Sequence, residues 1–574
     1  MPADSGILRK PGKLRLKFDV PKERRKDTTE LTITAEPSIG GSLLRALPYL
    51  IHYPYGCVEQ TMSRFLPAVL VSHTLKESGV KLSSIPELAA KATLADPLAK
   101  RQADVQMAWW EQPVFDDEEL ASIVKKGLKR LYDFQHDDGG WAWWKWGDSD
   151  PYITAYVLIG LVEARNAGFK VDESSISRGM KLLGKELAKM NKKLGESREV
   201  RSFLGYALSL DKKVKYKDLE DLYEHRESMS HYGQALIALA VHNIGEKDRA
   251  KEAVGNLIDV AWVDKKNKTA SFKFTEKGWW RWWNNRVETV AWALRAVMTV
   301  EPSNKVGDYF AKWLMLNRQG NHWYSTKDTS FALYGLTLYM GHYKELSPDC
   351  SVTISVDGKE KKTIKFTTDN ALTGEGVVFM QGKEISDGEI EVLIESKGKC
   401  SVYANGFMTF FTKEAKIKGA GNEIFIERTY YRLKEKKKKV KTYRGVITKL
   451  DYERILLKDG DEVKSGDLIE VKIMVESKND YEYLVFEDFK PAGCEPMQLK
   501  SGGVFENGAW INREMRDEKV VNFLYSLPQG KQAITYKMRA EIPGKFRILP
   551  HKGYAMYAPR VRAISDSADM SITD

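Results

Sequence analysis

The sequence is poor in cysteine, has no long apolar run, and does not open on an apolar leader. Crossing a bilayer as a helix takes about 20 mostly apolar residues, and no stretch approaches that, so no membrane span is expected. The start, "MPADSGILRKPGKLRL", lacks the apolar core of a signal peptide. The mature part of an exported protein, a fragment and a cytoplasmic protein would all begin this way. The four cysteines are Cys57, Cys350, Cys400 and Cys494. They form no CxxC pair and no Cys/His cluster, which argues against a structural zinc site, and no metal or cofactor is indicated. Cys350 and Cys400 bracket one β-rich segment and could pair as a disulfide if the protein is exported. Acidic residues are also in deficit, 79 against 90 basic ones. Much of that surplus sits in "RLKEKKKKVK" at 432–441. Such a run can bind nucleic acid or an anionic surface. No aromatic-interleaved basic platform accompanies it, so no nucleic-acid partner is expected. A solvated loop or a lysine-guarded edge strand is the better reading.

What is present is enough for real cores: 43% hydrophobic and 11% aromatic residues in 574. That length suggests three to four domains. The first 35 residues hold two alternating stretches, "KLRLKFDV" and "TELTITAE", which read as strands. From about 40 to 345 helical periodicity takes over, with a loose repeat. "TAYVLIGLVEA", "RSFLGYALSL", "QALIALAVHN", "VAWALRAVMT" and "SFALYGLTLY" begin at 154, 201, 234, 290 and 330. Their spacing suits helical hairpins. Three are preceded by tryptophan-rich loops, "DDGGWAWWKWGDSDPY", "EKGWWRWWNNRVE" and "GNHWYSTKD". These loops could cover a site, dock another domain or bind a ligand, with aromatic packing between repeats favoured. Strands return after 346 in two blocks, the second from about 424, so the helical part reads as an α/α toroid set between β elements. The boundaries expected are 1–38 and 346–423 for one split β domain, 39–345 for the toroid and 424–574 for a terminal β-sandwich.

The segment "YPYGCVEQTMSRF" at 53–65 carries the chemistry. Cys57 and Gln60 are three apart at a helix start, so their side chains share a face. Three readings compete for Cys57. One is a buried structural cysteine. Another is an enzyme nucleophile activated by a histidine and a helix N-terminus. The third is an internal thioester, in which the sulfur displaces ammonia from the Gln60 carboxamide. Ring closure at one helical turn costs little extra entropy. Gly56 supplies flexibility ahead of the cysteine. An activated acyl group also needs shielding from water, for which Tyr53, Pro54, Tyr55 and Phe65 are candidates.

Beyond the bare spacing, "YPYGCVEQTMSRFLPA" resembles the thioester signature of the alpha-2-macroglobulin and complement family in its bacterial form. "DDGGWAWW" with "DSDPYITAYVL" resembles the first tryptophan-rich repeat of bacterial thioester domains, and "WLMLNRQGNHWYSTKDTSFALYGL" the last helical hairpin. "GKFRILPHKGYAMYAPRVRAIS" resembles the closing strands of the final macroglobulin-type sandwich. The resemblance implies an α/α-toroid thioester domain inserted in a CUB-like β domain, followed by a macroglobulin-like β-sandwich. It also implies a protease-trapping protein of the periplasm or cell exterior, one acting in defence. Bait cleavage would expose the thioester, which would acylate lysine amines of the attacking protease. Cys57 would be the thioester sulfur, Gln60 the acyl donor and Glu59 a supporting residue. Family members carry macroglobulin domains and a bait region ahead of the thioester, so those domains or a partner chain are expected to supply the trigger. Complement-like members use a histidine for transfer to hydroxyls, but neither His136 in "FQHDDGG" nor His231 in "SMSHYGQ" sits in a matching motif. Amines should therefore react in preference to hydroxyls. Rapid glycerol incorporation with poor methylamine incorporation is the result that would contradict this.

Two other classes remain. "QHDDGGW" is similar to the repeats of squalene-type cyclases, whose toroid needs aspartates facing an aromatic cavity. Asp137, Asp138, Asp148 and Asp150 read better as turn and capping residues. Glycoside hydrolysis would need two opposed carboxylates. The third class is a non-covalent scaffold with an inert Cys57.

Overall fold

The computed structural model describes residues 3–574 apart from 45, 47–48, 51–55, 81–116, 193–196, 266, 274–285, 319–321, 375, 415, 422, 443–444, 479–480, 499, 507–508 and 557. Three strands come first: β1 Ala3–Leu8, β2 Gly12–Val20 and β3 Glu30–Glu36. A small hairpin, β4 Trp262–Asp264 and β5 Thr269–Ser271, interrupts the helices. Five strands follow them: β6 Asp349–Val356, β7 Lys359–Phe366, β8 Gly376–Gln381, β9 Gly388–Lys399 and β10 Val402–Thr409. The segments on either side of the helices interleave in two four-stranded sheets, β1-β10-β3-β8 and β2-β9-β6-β7. Alternation along β2 explains the layering. Leu16, Phe18 and Val20 are buried, whereas Lys13, Arg15 and Lys17 face water. A disulfide joins Cys350 of β6 to Cys400, between β9 and β10. Strand β1 was not expected. It pairs along its whole length with β10, although "ADSGIL" shows no alternating apolar pattern.

Eleven of the helices described are α1 Val58–Ser78, α2 Asp117–Asp133, α3 Pro151–Asn166, α4 Glu173–Asn191, α5 Arg198–Ser209, α6 Tyr216–Glu224, α7 His231–Asn243, α8 Lys247–Asp259, α9 Arg286–Val300, α10 Val306–Leu316 and α11 Thr326–His342. The odd-numbered helices pack each against the next, and α11 packs back against α1. The even-numbered ones lie against them from outside. The division follows the side chains. Helix α3 is buried almost all round from Tyr152 to Val162. Helix α4 buries one stripe, Ile176, Met180, Leu183 and Leu187. The five repeats found in the sequence fall in α3, α5, α7, α9 and α11. Helix α1 approaches α2 and α3 closely because a Cβ at Gly127 or Gly160 would run into Phe65 or Met62. Gly79, at φ +70, ends α1 in the left-handed conformation that favours glycine.

Arg9 bonds the split β unit to the helices. Its guanidinium reaches Asp308 at 2.7 Å and the buried Glu345 at 2.9 Å, and stacks on Tyr343.

From 420 onward the strands form a second β unit with its own core, centred on residues such as Ile469, Val471, Leu484 and Phe486. The lysine-rich run is not a loop. It lies in the strand Ile424–Thr442, paired with Gly445–Leu457 on one side, while Leu468–Ser477 on the other side pairs only as far as Leu433. From Lys434 onward the run is therefore an edge, in keeping with a lysine-guarded edge strand. This unit touches the β4–β5 hairpin through Lys478–Asp264 at 2.8 Å and Asn267–Glu423 at 3.1 Å. In its interior Arg428, Asp488, Tyr536 and His551 form a buried polar cluster.

Candidate functional site

Cys57 is the N-cap of α1, in an extended conformation that turns the chain into the helix. Its partner three residues on completes a reciprocal cap. The Gln60 side-chain carbonyl oxygen folds back to accept from the Cys57 N–H at 3.4 Å, and the Cys57 side chain faces the Gln60 backbone N–H. The spacing that makes a capping box thus brings a thiol and a carboxamide together over the first turn. Cys57 is only 8% exposed.

Two neighbours hold this turn. Arg130 of α2 donates to Thr61 Oγ1 at 3.1 Å and to the Gly56 carbonyl at 3.5 Å. The tryptophan-rich loop before α3 does the rest. Trp143 offers its carbonyl to the Val58 N–H at 2.8 Å. The Trp144 ring lies so close to Gly56 that a Cβ there would sit 3.2 Å from its Cη2 and 3.1 Å from Gln60 Oε1. A side chain at 56 would therefore make Trp144 and the Gln60 carboxamide give way by a few tenths of an ångström. Trp144 was not singled out from the sequence, because nothing in a tryptophan-rich loop says which ring lands on which turn.

Glu59 is buried beneath the same turn. Burial pushes its carboxyl up, against a 2.6 Å hydrogen bond from Ser63 and the nearby Lys327 charge. Thr326, at the start of α11, donates to the same oxygen at 3.4 Å. Ser63 in turn meets Tyr156 at 3.3 Å, and Tyr156 donates to Ser330 at 3.2 Å. Nearby, the fully buried Glu288 and Lys327 pair at 2.5 Å. Residues near the starts of α1, α3, α9 and α11 therefore meet at one mouth of the helical array.

Burial also raises the Cys57 thiol, and the Glu59 charge adds to that rise, with the Gln60 backbone N–H opposing. A nucleophilic enzyme cysteine needs the opposite shift. Neither histidine weighed from the sequence contacts Cys57 or Gln60 among the described residues. His136 Nδ1 lies 3.0 Å from Ser149 Oγ, and His231 stacks on Phe272. Phe65 is not a cover. It lies about 12 Å further along α1 and packs on Gly127 in the core. Tyr53, Pro54 and Tyr55 lie outside the described residues. Asp150 caps α3 by accepting from Tyr152 and Ile153 at 2.8 and 3.0 Å, and Asp138 accepts from Gly140 within a turn. Both thus accept from backbone N–H groups, and Asp138 also lines, with Asp137, Asp148 and His136, a pocket beside the start of α3.

Comparison with known proteins gives two domain matches. Residues 34–209 match the family model described as the A-macroglobulin TED domain, and residues 424–560 that of the bacterial alpha-2-macroglobulin MG10 domain. The alpha-2-macroglobulin of Thermotoga maritima is 26% identical over 353 residues, covering 60% of this chain and 17% of its own length. That of Escherichia coli is 22% identical over 574 residues, covering 95% of this chain and 30% of its own. The crystal structure of trypsin-activated alpha-2-macroglobulin from Escherichia coli aligns over 100% of this chain and 36% of that one, with TM-score 0.52 and 18% identity, a likeness of fold. The chain thus spans less than a third of either relative's length.

Proposed function

The chain belongs to the alpha-2-macroglobulin family, in its bacterial form, and from that premise we propose that it carries a Cys57–Gln60 thioester that captures proteases covalently. Helices α1 to α11 would be the α/α toroid, inserted in a CUB-like domain made of residues 1–38 and 346–423, with 424–574 as the macroglobulin-like sandwich. The observation that carries the reading is the Gln60 carboxamide folded back over a buried Cys57 beneath Trp144. The thiol attacks the carboxamide carbon, the sulfur–carbon bond replaces the carbon–nitrogen bond, and ammonia leaves with the thiol proton. An amine of the target later attacks the same carbon and forms an amide, and its proton passes to the departing sulfur. No cofactor enters either step, and the protein is consumed, so it is an inhibitor and not an enzyme.

Glu59 supports the site by holding the first turn of α1 to α3 and α11 through Ser63, Tyr156 and Thr326. Further macroglobulin domains, or a partner chain, would supply bait and trigger. The periplasm or cell exterior suits this task, and a disulfide suits an oxidising compartment.

Trp144 would be part of the cover. Trp144→Ala is expected to speed methylamine cleavage of the untriggered protein several-fold, followed as thiol release, with the same number of thiols at completion. An unchanged rate would remove Trp144 from the cover and leave the thioester itself untouched.

A further inference from the structure

Glu59 is buried on the first turn of α1, two residues past the Cys57 cap. Other charged groups are buried with it. Glu288 of α9 and Asp328 of α11 are almost fully covered, and so is Lys327 between them. The Lys327 ammonium bonds Glu288 at 2.5 Å and acts on Glu59 by its charge, while Asp328 opposes it at both. Tyr156 of α3 and Thr326 of α11 also face Glu59, and Ser63 of its own helix donates to it at 2.6 Å. Arg130 of α2 bonds Thr61 on the same turn.

Three carboxyls around one lysine are costly to bury, and apolar groups of similar size often fold as well or better. Folding therefore gives no reason for this cluster, whereas a reactive bond beside it does. When a thioester opens, negative charge develops on the departing sulfur and on the carbonyl oxygen. A carboxylate held close by in a buried site opposes both.

We propose that Glu59, kept ionised by Lys327, restrains the Cys57–Gln60 acyl bond from opening before the protein is triggered. The inference rests on the thioester reading and deepens it. Trp144 keeps water out, whereas Glu59 raises the barrier that any nucleophile meets. Lys327 acts through Glu59, as a positioning residue. The Glu59 charge also raises the Cys57 thiol, which makes its thiolate a poorer leaving group.

The test follows opening of the full chain by hydroxylamine, which stays unprotonated in mild acid, as thiol release. Glu59→Gln should open about tenfold faster at neutral pH, equivalent to one pKa unit at the sulfur. The parent's rate per unprotonated hydroxylamine should rise as pH falls and Glu59 takes up its proton. Glu59→Gln should show no such rise, and Lys327→Gln should move it to higher pH. If Glu59→Gln already holds a free thiol, the residue at 60 decides. Glutamate there means that the bond formed and was lost to water early, which supports the proposal. Glutamine means that it never formed, which overturns it. Equal rates in parent and Glu59→Gln, or a parent rate that does not rise in acid, would also overturn it, whether or not Lys327→Gln folds. A parent of full sequence mass would remove the thioester itself, and this proposal with it.

Discussion

Cys57→Ser and Cys57→Ala are expected to lose all covalent capture of protease while keeping the fold. The unreacted parent should weigh one ammonia less than its sequence and show no titratable thiol at position 57. Methylamine should then free that thiol and leave a modified Gln60. Serine is the more telling replacement. Position 57 caps α1, and serine is a strong N-cap residue, so the variant retains the helix start and removes only the sulfur. Alanine loses the cap as well, at a cost of about 1 kcal/mol, small against the stability of so large a helical core. If both variants melt near the parent and neither forms adducts, the bond and not the fold is responsible. A scaffold or a toroid enzyme shows no missing ammonia. An enzyme cysteine with a depressed pKa would alkylate quickly in the untreated parent, which the burial of Cys57 opposes. A parent of full sequence mass, with a free thiol before any treatment, would end the thioester reading.

Much of the helical part was legible because inner helices announce themselves. "TAYVLIGLVEA" and "QALIALAVHN" are apolar on nearly every face, since α3 and α7 are covered all round. The outer helices were not in the repeat. Each needs only one stripe, as in α4 and α8, and the rest of its surface is free to vary. Strand β1 was missed because "ADSGIL" carries no period, its place being set by pairing with β10. The Cys57–Gln60 pairing was visible because the contact is local, one helical turn. Trp144 and Thr326 were not, since they reach the same turn from far along the chain. The lysine run shows the same limit. Its charge is plain in the sequence, but its length beyond the sheet depends on where Leu468–Ser477 stops pairing.

Asp488→Asn is expected to be the most damaging single change in the terminal β unit. Asp488 is fully buried, bonded by Arg428 at 2.6 Å and Tyr536 at 2.7 Å, with His551 Nδ1 at 3.2 Å. The asparagine keeps the shape and removes the charge, leaving the buried guanidinium of Arg428 uncompensated. Breaking such a pair costs about 3–5 kcal/mol, or roughly 10 °C of melting temperature for this unit. The pH dependence has a definite sign. Burial alone would raise the carboxyl, but Arg428 and His551 outweigh it and hold Asp488 well below the usual carboxylate range. A carboxylate depressed on folding stabilises fully above its unfolded pKa, about 3.9, and that contribution fades as pH falls toward the folded value. Parent and variant should thus differ most at neutral pH and converge in acid, as followed by thermal melting across that range. The double variant Arg428→Met with Asp488→Leu should recover part of the loss, because a buried pair replaced by apolar groups of similar size is often close to neutral. Equal melting of parent and Asp488→Asn at neutral pH would mean that Arg428 finds its counter-charge elsewhere.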